Sequence, residues 1–334
     1  MQYLLITAIL FSVLLLYFRI ADKYNIIDKP NQRSSHDYIT IRGGGIVFWF
    51  AGVLYVLSAV GTLYATPLQV TFLTGITLIS AVSFWDDISS LPNKIRIAIH
   101  FLSISFVFYG LNLYAALPWY LILTAYIFFV GVLNAYNFMD GVNGITGLYS
   151  LSILVSLQYV NYKIIPFTDP DFIFFAILAC LVFLFFNCRK RAKCFAGDVG
   201  SMAISFWIVT LLLQLMIKDN SLVWLFFLSV YGVDSICTIL HRLYLRQNIF
   251  KAHRMHFYQV MSNEWRISHL KVSVLYAFVQ LLICGLIIYF REYRMLCATV
   301  AVFVLLPAYL LKFKKKRMNC TGVELKTGNH ELSH

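Results

Sequence analysis

Long apolar runs separated by short polar breaks make up most of this chain. The runs LPWYLILTAYIFFVGVL and LYSLSILVSLQYV contain no charged residue. A membrane-spanning helix needs about 20 mostly apolar residues, so each run of this length predicts one span. The predicted spans are 3–18, 46–66, 68–85, 97–114, 117–134, 145–161, 171–187, 199–217, 221–240, 270–290 and 295–311. We therefore expect an all-α, polytopic integral membrane protein with about 10–11 transmembrane helices.

The placement of lysine and arginine predicts the orientation of these spans. With the N-terminus outside, all but four of the 27 basic residues fall in cytoplasmic loops or in the C-terminal tail. The four exceptions are Lys163, Lys218, Arg291 and Arg294. Because short cytoplasmic loops retain Lys and Arg, we expect an outside N-terminus and a cytoplasmic C-terminus. The first run lacks a basic segment before it and an Ala-x-Ala site, so we interpret it as an uncleaved span.

Composition agrees with a membrane protein. Hydrophobic residues make up 60% of the chain and charged residues 13%. The net charge of +12 is explained by basic residues retained on the cytoplasmic side, so no nucleic-acid partner is expected. The seven cysteines show no paired metal-type spacing, and we assign them no chemistry. We predict one membrane domain over 1–317 and a polar, disordered cytoplasmic tail over 318–334.

Five polar clusters interrupt the apolar pattern, and all five fall in loops predicted to be cytoplasmic. A transporter would instead place its critical polar groups near the bilayer midplane, in interrupted helices. The densest cluster is NAYNFMDGVNGITG, at 134–147. Polar residues at membrane depth cost about 2.5–3.5 kcal/mol each even on lenient scales, which makes them functional candidates. Helix capping explains one of Asn134, Asn137, Asp140 and Asn143, but not all four.

Two adjacent acids end the third predicted span, in WDDISSLPNKIR. On a helix, Asp86 and Asp87 point about 100° apart. We therefore expect one to face a site and the other to support it or to hold a basic neighbour, Lys94 or Arg96. Paired acids in a chain with few acids suit a hard cation such as Mg²⁺, which prefers oxygen ligands. Helix termination with local ion pairing is the alternative interpretation.

The other three clusters are rich in glycine or in basic residues. SSHDYITIRGGGI holds Arg42 before three glycines, which allow either close approach to an anion or close helix packing. In CFAGDVGSM, Asp198 stands at the start of an apolar helix whose N-terminal N–H groups face an anion, or it caps that helix. FKAHRMHFYQ forms either a cationic surface for phosphate and sugar oxygens or a solvated basic loop. Its candidate side chains are Lys251, His253, Arg254 and His256.

In this order and spacing, the five clusters together resemble the polyprenyl-phosphate N-acetylhexosamine-1-phosphate transferase family, over about residues 20 to 275. Each motif alone is a weak signal. The resemblance implies that undecaprenyl phosphate attacks the β-phosphorus of a UDP-N-acetylamino sugar, so that UMP leaves and the sugar-1-phosphate stays on the lipid. It implies a requirement for Mg²⁺, with Mn²⁺ as a substitute. It also implies a bacterial inner-membrane location with a cytoplasmic site, and it leaves a homodimer open.

The resemblance further implies roles at the nucleotide. Asn137 and Asp198 match the metal-binding pair at the diphosphate. Asn143 and Phe195 match positions associated with uracil recognition.

Catalytic and phosphate-binding roles follow from the same resemblance. Asp86 and Asp87 match the family's essential acid pair, one of which is proposed to activate or position the lipid phosphate. Asp140 matches the acid of the asparagine-rich motif. The substrate-binding positions are Arg96, Arg42 and Lys251. The catalytic loop that meets the diphosphate and the sugar holds His253, Arg254 and His256.

The chemistry of phosphoryl transfer narrows the expected mechanism. Such transfer needs positioning and charge neutralisation more than covalent help. A phosphate monoester with a second pKa near ~6 is largely dianionic at neutral pH, so we favour direct attack over a covalent aspartyl intermediate. The basic loop is not the longer histidine-rich loop of the muropeptide enzyme, which disfavours a peptide-bearing sugar and favours an O-antigen or capsule pathway. A transporter of an anionic or lipid-linked solute and a CDP-alcohol-type phosphotransferase are the competing interpretations.

Overall fold

The computed structural model describes residues 1–28, 38–60, 65–249 and 253–323, with the backbone alone at 59–60 and 314–323. Within these residues the chain is almost entirely α-helical, as predicted. The helices are α1 Gln2–Lys23, α2 Ile46–Val60, α3 Pro67–Ile88, α4 Asn93–Gly110, α5 Leu113–Ala116, α6 Trp119–Met139, α7 Ile145–Lys163, α8 Pro170–Asn187, α9 Gly197–Asp219, α10 Ser229–Tyr244, α11 Phe257–Gln259, α12 His269–Tyr289 and α13 Arg294–Val323. Short 3₁₀ and π turns occupy Leu222–Leu228, Val260–Glu264 and Arg291–Tyr293.

Each predicted span coincides with helical structure, and the polytopic, all-α architecture is confirmed. In the described part of the chain, eight helices are long and apolar enough to cross a membrane, which is fewer than the predicted number. The difference has a physical reason. α2 is short, α4 begins with a polar turn, and α7 carries many serine, glutamine and asparagine side chains. The outside position of the N-terminus stays a prediction.

The C-terminal tail is described only in part. α13 continues to Val323, so the first residues of the predicted tail extend the last helix. Residues 324–334 lie outside the described part of the chain, and the predicted disorder there stays a prediction.

α9 is the central helix of the bundle. Its apolar stretch is 94% buried, whereas that of α13 is only 17% buried. α9 packs against α2, α3, α6 and α7. Because so many helices surround α9, its N-terminus lies in the middle of one end of the bundle.

A short strand ladder ties the loop before α2 to the loop before α9. β1 (Ile27–Asp28) and β2 (Thr40–Ile41) pair antiparallel, with Ile27 opposite Ile41. Ile41 also forms a parallel bridge with Cys194, and Phe195 donates its N–H to the Ile41 carbonyl at 2.8 Å. These bonds draw the glycine-rich segment before α2 against the start of α9.

Candidate active site

Asp87, in the last turn of α3, holds the N-terminus of α9. Its carboxylate accepts the backbone N–H groups of Asp198 at 2.9 Å and Val199 at 3.0 Å, and Arg42 Nε lies 2.7 Å from its Oδ1. The first N–H groups of a helix lack partners within it and carry positive partial charge, so a carboxylate is favourable there. We expected these groups either to face an anion or to be capped by Asp198. In the structure the buried Asp87 occupies them, and Asp198 lies inside the first turn of α9 rather than capping it.

The Asp86 carboxylate contacts other partners than Asp87 does, because adjacent side chains on a helix point about 100° apart. Its Oδ2 lies 2.7 Å from Arg96 Nη1, and its Oδ1 accepts the N–H of Leu91 at 2.7 Å. Arg96 Nη2 also reaches Asp198 Oδ2 at 3.5 Å. One guanidinium group therefore bridges two carboxylates, so Asp86 lies beside Asp198 whereas Asp87 supports α9.

Asp198 lies between the two arginines. Arg42 Nη2 is 3.4 Å from Asp198 Oδ1, so Arg42 contacts both Asp87 and Asp198. Burial opposes the charge of Arg42, but the attraction of Asp87 and Asp198 outweighs it and raises the pKa of the guanidinium above its usual value. When all five groups are ionised, three carboxylates (those of Asp86, Asp87 and Asp198) face two guanidinium groups. The cluster then carries one net negative charge, which a further positive charge would neutralise.

The glycine run before α2 allows the loop to pack directly on α9. Gly44 donates its N–H to the carbonyl of Phe195 at 2.8 Å, and Gly45 donates to Ala196 at 3.0 Å. A Cβ atom on Gly45 would lie 2.2 Å from the Cα of Gly200, closer than any side chain tolerates. Of the two interpretations given for this run, close packing is therefore what the contacts show.

The asparagine-rich motif meets the acid cluster at the end of α6. The Asn137 side chain hydrogen-bonds to Asp198, and its Nδ2 also lies 3.3 Å from Ser201 Oγ. Asp140 accepts the Thr146 hydroxyl at 2.7 Å. Burial, reinforced by the negative charge of Asp198, raises the pKa of Asp140 to about 6. Asn137 and Asp140 therefore belong to the same polar cluster as Asp198.

Asn143 lies apart from this cluster. Its Nδ2 donates to the backbone carbonyls of Arg189 at 2.8 Å and Lys190 at 3.3 Å, and to the Tyr38 hydroxyl at 3.1 Å. The side chain thus holds the basic loop between α8 and α9. Phe195 is half-buried, and its backbone joins the strand bridge described above. The uracil-binding roles of Asn143 and Phe195 stay predictions.

The histidine segment folds back against the bundle. His256 is buried, with its Nδ1 3.3 Å from Asp234 Oδ1, and its ring stacks on Phe138 at a centroid distance of 6.2 Å. The His253 ring lies 4.9 Å from the ring of His256. Burial, together with the positive charge of its neighbours, lowers the pKa of His253 to about 4, so the ring is neutral at pH 7. Arg254 is half-buried, and the predicted position Lys251 lies outside the described residues.

A cavity of about 990 Å³ extends from this polar end along α4, α6 and α10. Its polar lining includes Arg96, Asn137 and His253. Most of the remaining wall is apolar, with Phe128 and Leu225 among its residues. Arg96 thus joins two environments, because the same side chain lines the apolar cavity and pairs with the acid cluster.

The residues present fit a magnesium ion that substrate phosphates complete. In the part of the chain that the structure describes, no group of three or more Asp, Glu, His or Cys side chains is arranged to hold a metal ion. Mg²⁺ in phosphate-transfer sites usually binds through one or two carboxylates plus substrate phosphates. Asp198 and Asp86 interact with each other and are bridged by Arg96, and Asn137 lies beside them. The predicted pair Asn137 and Asp198 is therefore in contact, and its metal-binding role stays a prediction.

Sequence reasoning missed Asp234 and Arg242. Asp234 is a fully buried acid in the middle of α10, and Arg242 lines the cavity near the end of the same helix. Arg242 donates to the backbone carbonyls of Asn248 and Ile249. A signal was available, because an ionisable residue within an apolar run is itself a functional candidate.

Known proteins are similar to this chain in sequence over most of its length. The model of glycosyl transferase family 4 matches residues 69–216. The undecaprenyl-phosphate alpha-N-acetylglucosaminyl 1-phosphate transferases of Escherichia coli O157:H7 and Salmonella typhi are each 25% identical to this chain. The "probable undecaprenyl-phosphate N-acetylglucosaminyl 1-phosphate transferase" of Bacillus subtilis (strain 168) is 27% identical. Each match covers 77% of this chain and 75% of the relative.

Proposed function

We propose that this chain is a member of the polyprenyl-phosphate sugar-1-phosphate transferase family, and from that premise we infer its reaction. It transfers an N-acetylamino-sugar-1-phosphate from a UDP-sugar to undecaprenyl phosphate and releases UMP. The step initiates the synthesis of an O-antigen, a capsule or another cell-envelope polysaccharide. The protein acts in the bacterial inner membrane, with the polar cluster on the cytoplasmic side.

One observation carries the proposal: Arg96 lies both in the wall of the apolar cavity and in the acid cluster. A polyprenyl phosphate has the matching shape, with a long apolar chain and one anionic end. Its chain fits the apolar wall, and its phosphate pairs with the guanidinium group of Arg96. The acceptor phosphate then lies next to Asp86 and Asp198.

The proposed step is a direct transfer. An oxygen of the lipid phosphate forms a bond to the β-phosphorus of the UDP-sugar, while the bond from that phosphorus to the oxygen bridging the α-phosphate breaks. UMP leaves with the bridging oxygen, and the product is a lipid diphospho-sugar. Both oxygens of Asp87 are already held by the α9 N–H groups and Arg42. A carboxylate held in this way is poorly placed as a nucleophile, which supports direct attack.

Three residues would hold the metal ion. Asp198, Asp86 and Asn137 offer carboxylate and amide oxygens at the polar end of the cavity. When bound, Mg²⁺ would neutralise the diphosphate and the charge that develops on the departing UMP. Arg42 holds Asp198 in place from the opposite side, and Arg96 orients the acceptor.

Transport of an anionic or lipid-linked solute is the alternative that the arrangement disfavours. A secondary transporter binds its substrate near the bilayer midplane, between repeats. Here the charged cluster is confined to one end of the bundle, at the ends of α3 and α6 and the start of α9. Such a cluster suits a soluble nucleotide that arrives from one side.

The test is turnover by the purified full-length protein in detergent. It is incubated with undecaprenyl phosphate, Mg²⁺ and a panel of UDP-sugars, and UMP is followed. We expect UMP only when both the lipid phosphate and one N-acetylated UDP-sugar are present. Absence of UMP with every N-acetylated sugar would overturn the proposal.

A pair of variants tests the role given to Arg96. Arg96→Gln should raise the KM for undecaprenyl phosphate at least about tenfold, since a charge-assisted phosphate contact is lost. Lys94→Gln is the matched control, because Lys94 is exposed on the same turn of α4. An equal effect of both substitutions would contradict the assignment.

A further inference from the structure

The carboxylate of Asp234 binds the backbone of the segment that follows the predicted catalytic histidines. Its Oδ1 accepts the N–H of Phe257 at 2.9 Å, and its Oδ2 accepts the N–H of Tyr258 at 3.3 Å. Asp234 lies ten residues before the end of α10 at Tyr244, which is nearly three helical turns. The segment at 253–258 therefore reaches back along the bundle to meet it.

Side chains from other elements complete the shell of this acid. The Tyr276 hydroxyl on α12 donates to Oδ2 at 2.7 Å, and the Thr238 hydroxyl lies 3.3 Å from Oδ1. His256 Nδ1 lies 3.3 Å from the same Oδ1. A buried carboxylate is costly unless paired and hydrogen-bonded. Donors from α10, α12 and the histidine segment together satisfy Asp234, so these three elements depend on one another through it.

Helix α13 holds the same segment from another direction. Lys312 donates through its Nζ to the carbonyl of Met255 at 3.1 Å and also contacts the Tyr309 hydroxyl. Tyr309 in turn lies 3.0 Å from the Thr238 hydroxyl. Met255 is thus bound from α13, while the two residues after His256 are bound from α10.

The clamped segment carries His253 into the cavity wall. His253 lines the cavity together with Arg96, and its Nδ1 accepts the N–H of Met255 at 3.3 Å. The rings of His253, His256 and Phe138 contact one another, with the Phe138 centroid 6.2 Å from that of His256 and 6.4 Å from that of His253. The Tyr258 hydroxyl donates to the Phe138 carbonyl at 2.9 Å, which joins the segment to the asparagine-rich motif.

We propose that Asp234 is a positioning residue for the transfer reaction. By binding the N–H groups of Phe257 and Tyr258, with Lys312 as a second clamp on Met255, it keeps His253 in the cavity wall that receives the acceptor phosphate. Asp234 touches neither substrate and acts through His253. The inference rests on the proposed function for its kinetic consequence, whereas the clamp itself does not depend on it.

The clamp is tested without turnover by hydrogen–deuterium exchange of the purified full-length protein. In Asp234→Asn only one backbone N–H keeps a carbonyl acceptor, and the other faces an amide NH₂ group. We expect peptides that cover 253–259 to exchange at least about tenfold faster, because an opened hydrogen bond loses its protection. Tyr276→Phe is the matched control, since it removes one donor and leaves both backbone bonds. Unchanged exchange in Asp234→Asn would overturn the clamp.

A double-mutant cycle tests the kinetic consequence. Misplacing a catalytic group by about 1 Å costs about 10²-fold in rate, so kcat for UMP release should fall by about that factor in Asp234→Asn. If Asp234 acts through His253, the double variant with His253→Ala should be no slower than His253→Ala alone. Losses that multiply would show a general structural effect and overturn the positioning role. Absence of UMP from the unsubstituted protein would instead count against the proposed function, and the exchange result would still decide the clamp.

A second variant covers the outcome in which Asp234→Asn fails to fold. Lys312→Met removes the donor to the Met255 carbonyl while keeping a side chain of similar length. It should speed exchange over 253–259 and lower kcat in the same non-additive way with His253→Ala. Unchanged exchange together with multiplied losses in kcat would overturn the proposal.

Discussion

Replacing Asp87 by Asn should weaken the fold by an amount that follows from its contacts. Asparagine has one carbonyl oxygen, so one of the two N–H groups of Asp198 and Val199 loses its acceptor. A hydrogen bond to a charged group contributes about 1.5–3 kcal/mol. The ion pair with Arg42, whose side chain is 34% exposed, adds at most about 1 kcal/mol. We therefore expect the free energy of unfolding to fall by about 3 kcal/mol.

The assay is denaturant unfolding in detergent, followed by tryptophan fluorescence at matched protein concentration. Asp171→Asn is the control, because Asp171 accepts one hydrogen bond, from the Tyr3 hydroxyl at 2.7 Å, near the surface at the start of α8. That substitution should cost about 1 kcal/mol or less. An Asp87→Asn protein as stable as the unsubstituted one, or a control that is destabilised more, would refute the role given to Asp87.

Three further expectations concern the same end of the bundle. Asp198→Asn should abolish UMP release while expression is retained; full activity in that variant would contradict the metal assignment. Gly45→Ala should prevent correct folding because its Cβ would lie 2.2 Å from the Cα of Gly200, whereas Gly131→Ala, with no neighbour within 4 Å, should be tolerated; yield in a monodisperse peak on size-exclusion chromatography compares them. The pKa of Asp140, raised to about 6 from its usual 3.8, means that the folded protein binds this proton more tightly than the unfolded chain does. The contribution of Asp140 to stability therefore falls as pH rises from about 4 to 6. The melting temperature of Asp140→Asn, minus that of the unsubstituted protein, should therefore be more positive at pH 7 than at pH 5. Equal differences in melting temperature at the two pH values would refute this.

Membrane spans were predictable because the apolar runs are long and local. A run of about 20 apolar residues specifies a helix in lipid regardless of its neighbours, since each backbone hydrogen bond must form within the segment. The predicted spans and the observed helices agree well even for α9, the most buried helix. The agreement is poorer at α4, which runs from Asn93 to Gly110 where the span was predicted at 97–114, and at 221–240, where Leu222–Leu228 forms a 3₁₀ turn.

Motif composition also predicted which polar residues gather. Asp198 lies 111 positions after Asp87, yet Asp198 and the adjacent pair Asp86 and Asp87 share the two arginines Arg42 and Arg96. Their loops alternate with spans, so they were expected at one end of the bundle. Sequence alone could not say that Asp87 would cap α9, because that contact depends on how α3 and α9 pack.

The sequence by itself determined that this protein is a helical membrane protein with its charged chemistry in alternate loops. The length of an apolar run and the placement of charged residues are local properties. In lipid, such a run satisfies its backbone hydrogen bonds by forming a helix, whatever its neighbours are. Only the tertiary structure decided that Asp87 supports α9 while Asp86 pairs with Arg96 beside Asp198, that Asn143 binds a loop, and that Asp234 binds the histidine segment. These contacts join residues from different segments of the chain: Asp234 and Phe257 are 23 positions apart, Asn143 and Arg189 are 46 apart, and Asp87 and Asp198 are 111 apart. The direction of each side chain at such a contact is set by the packing of whole helices, which a one-dimensional pattern does not contain.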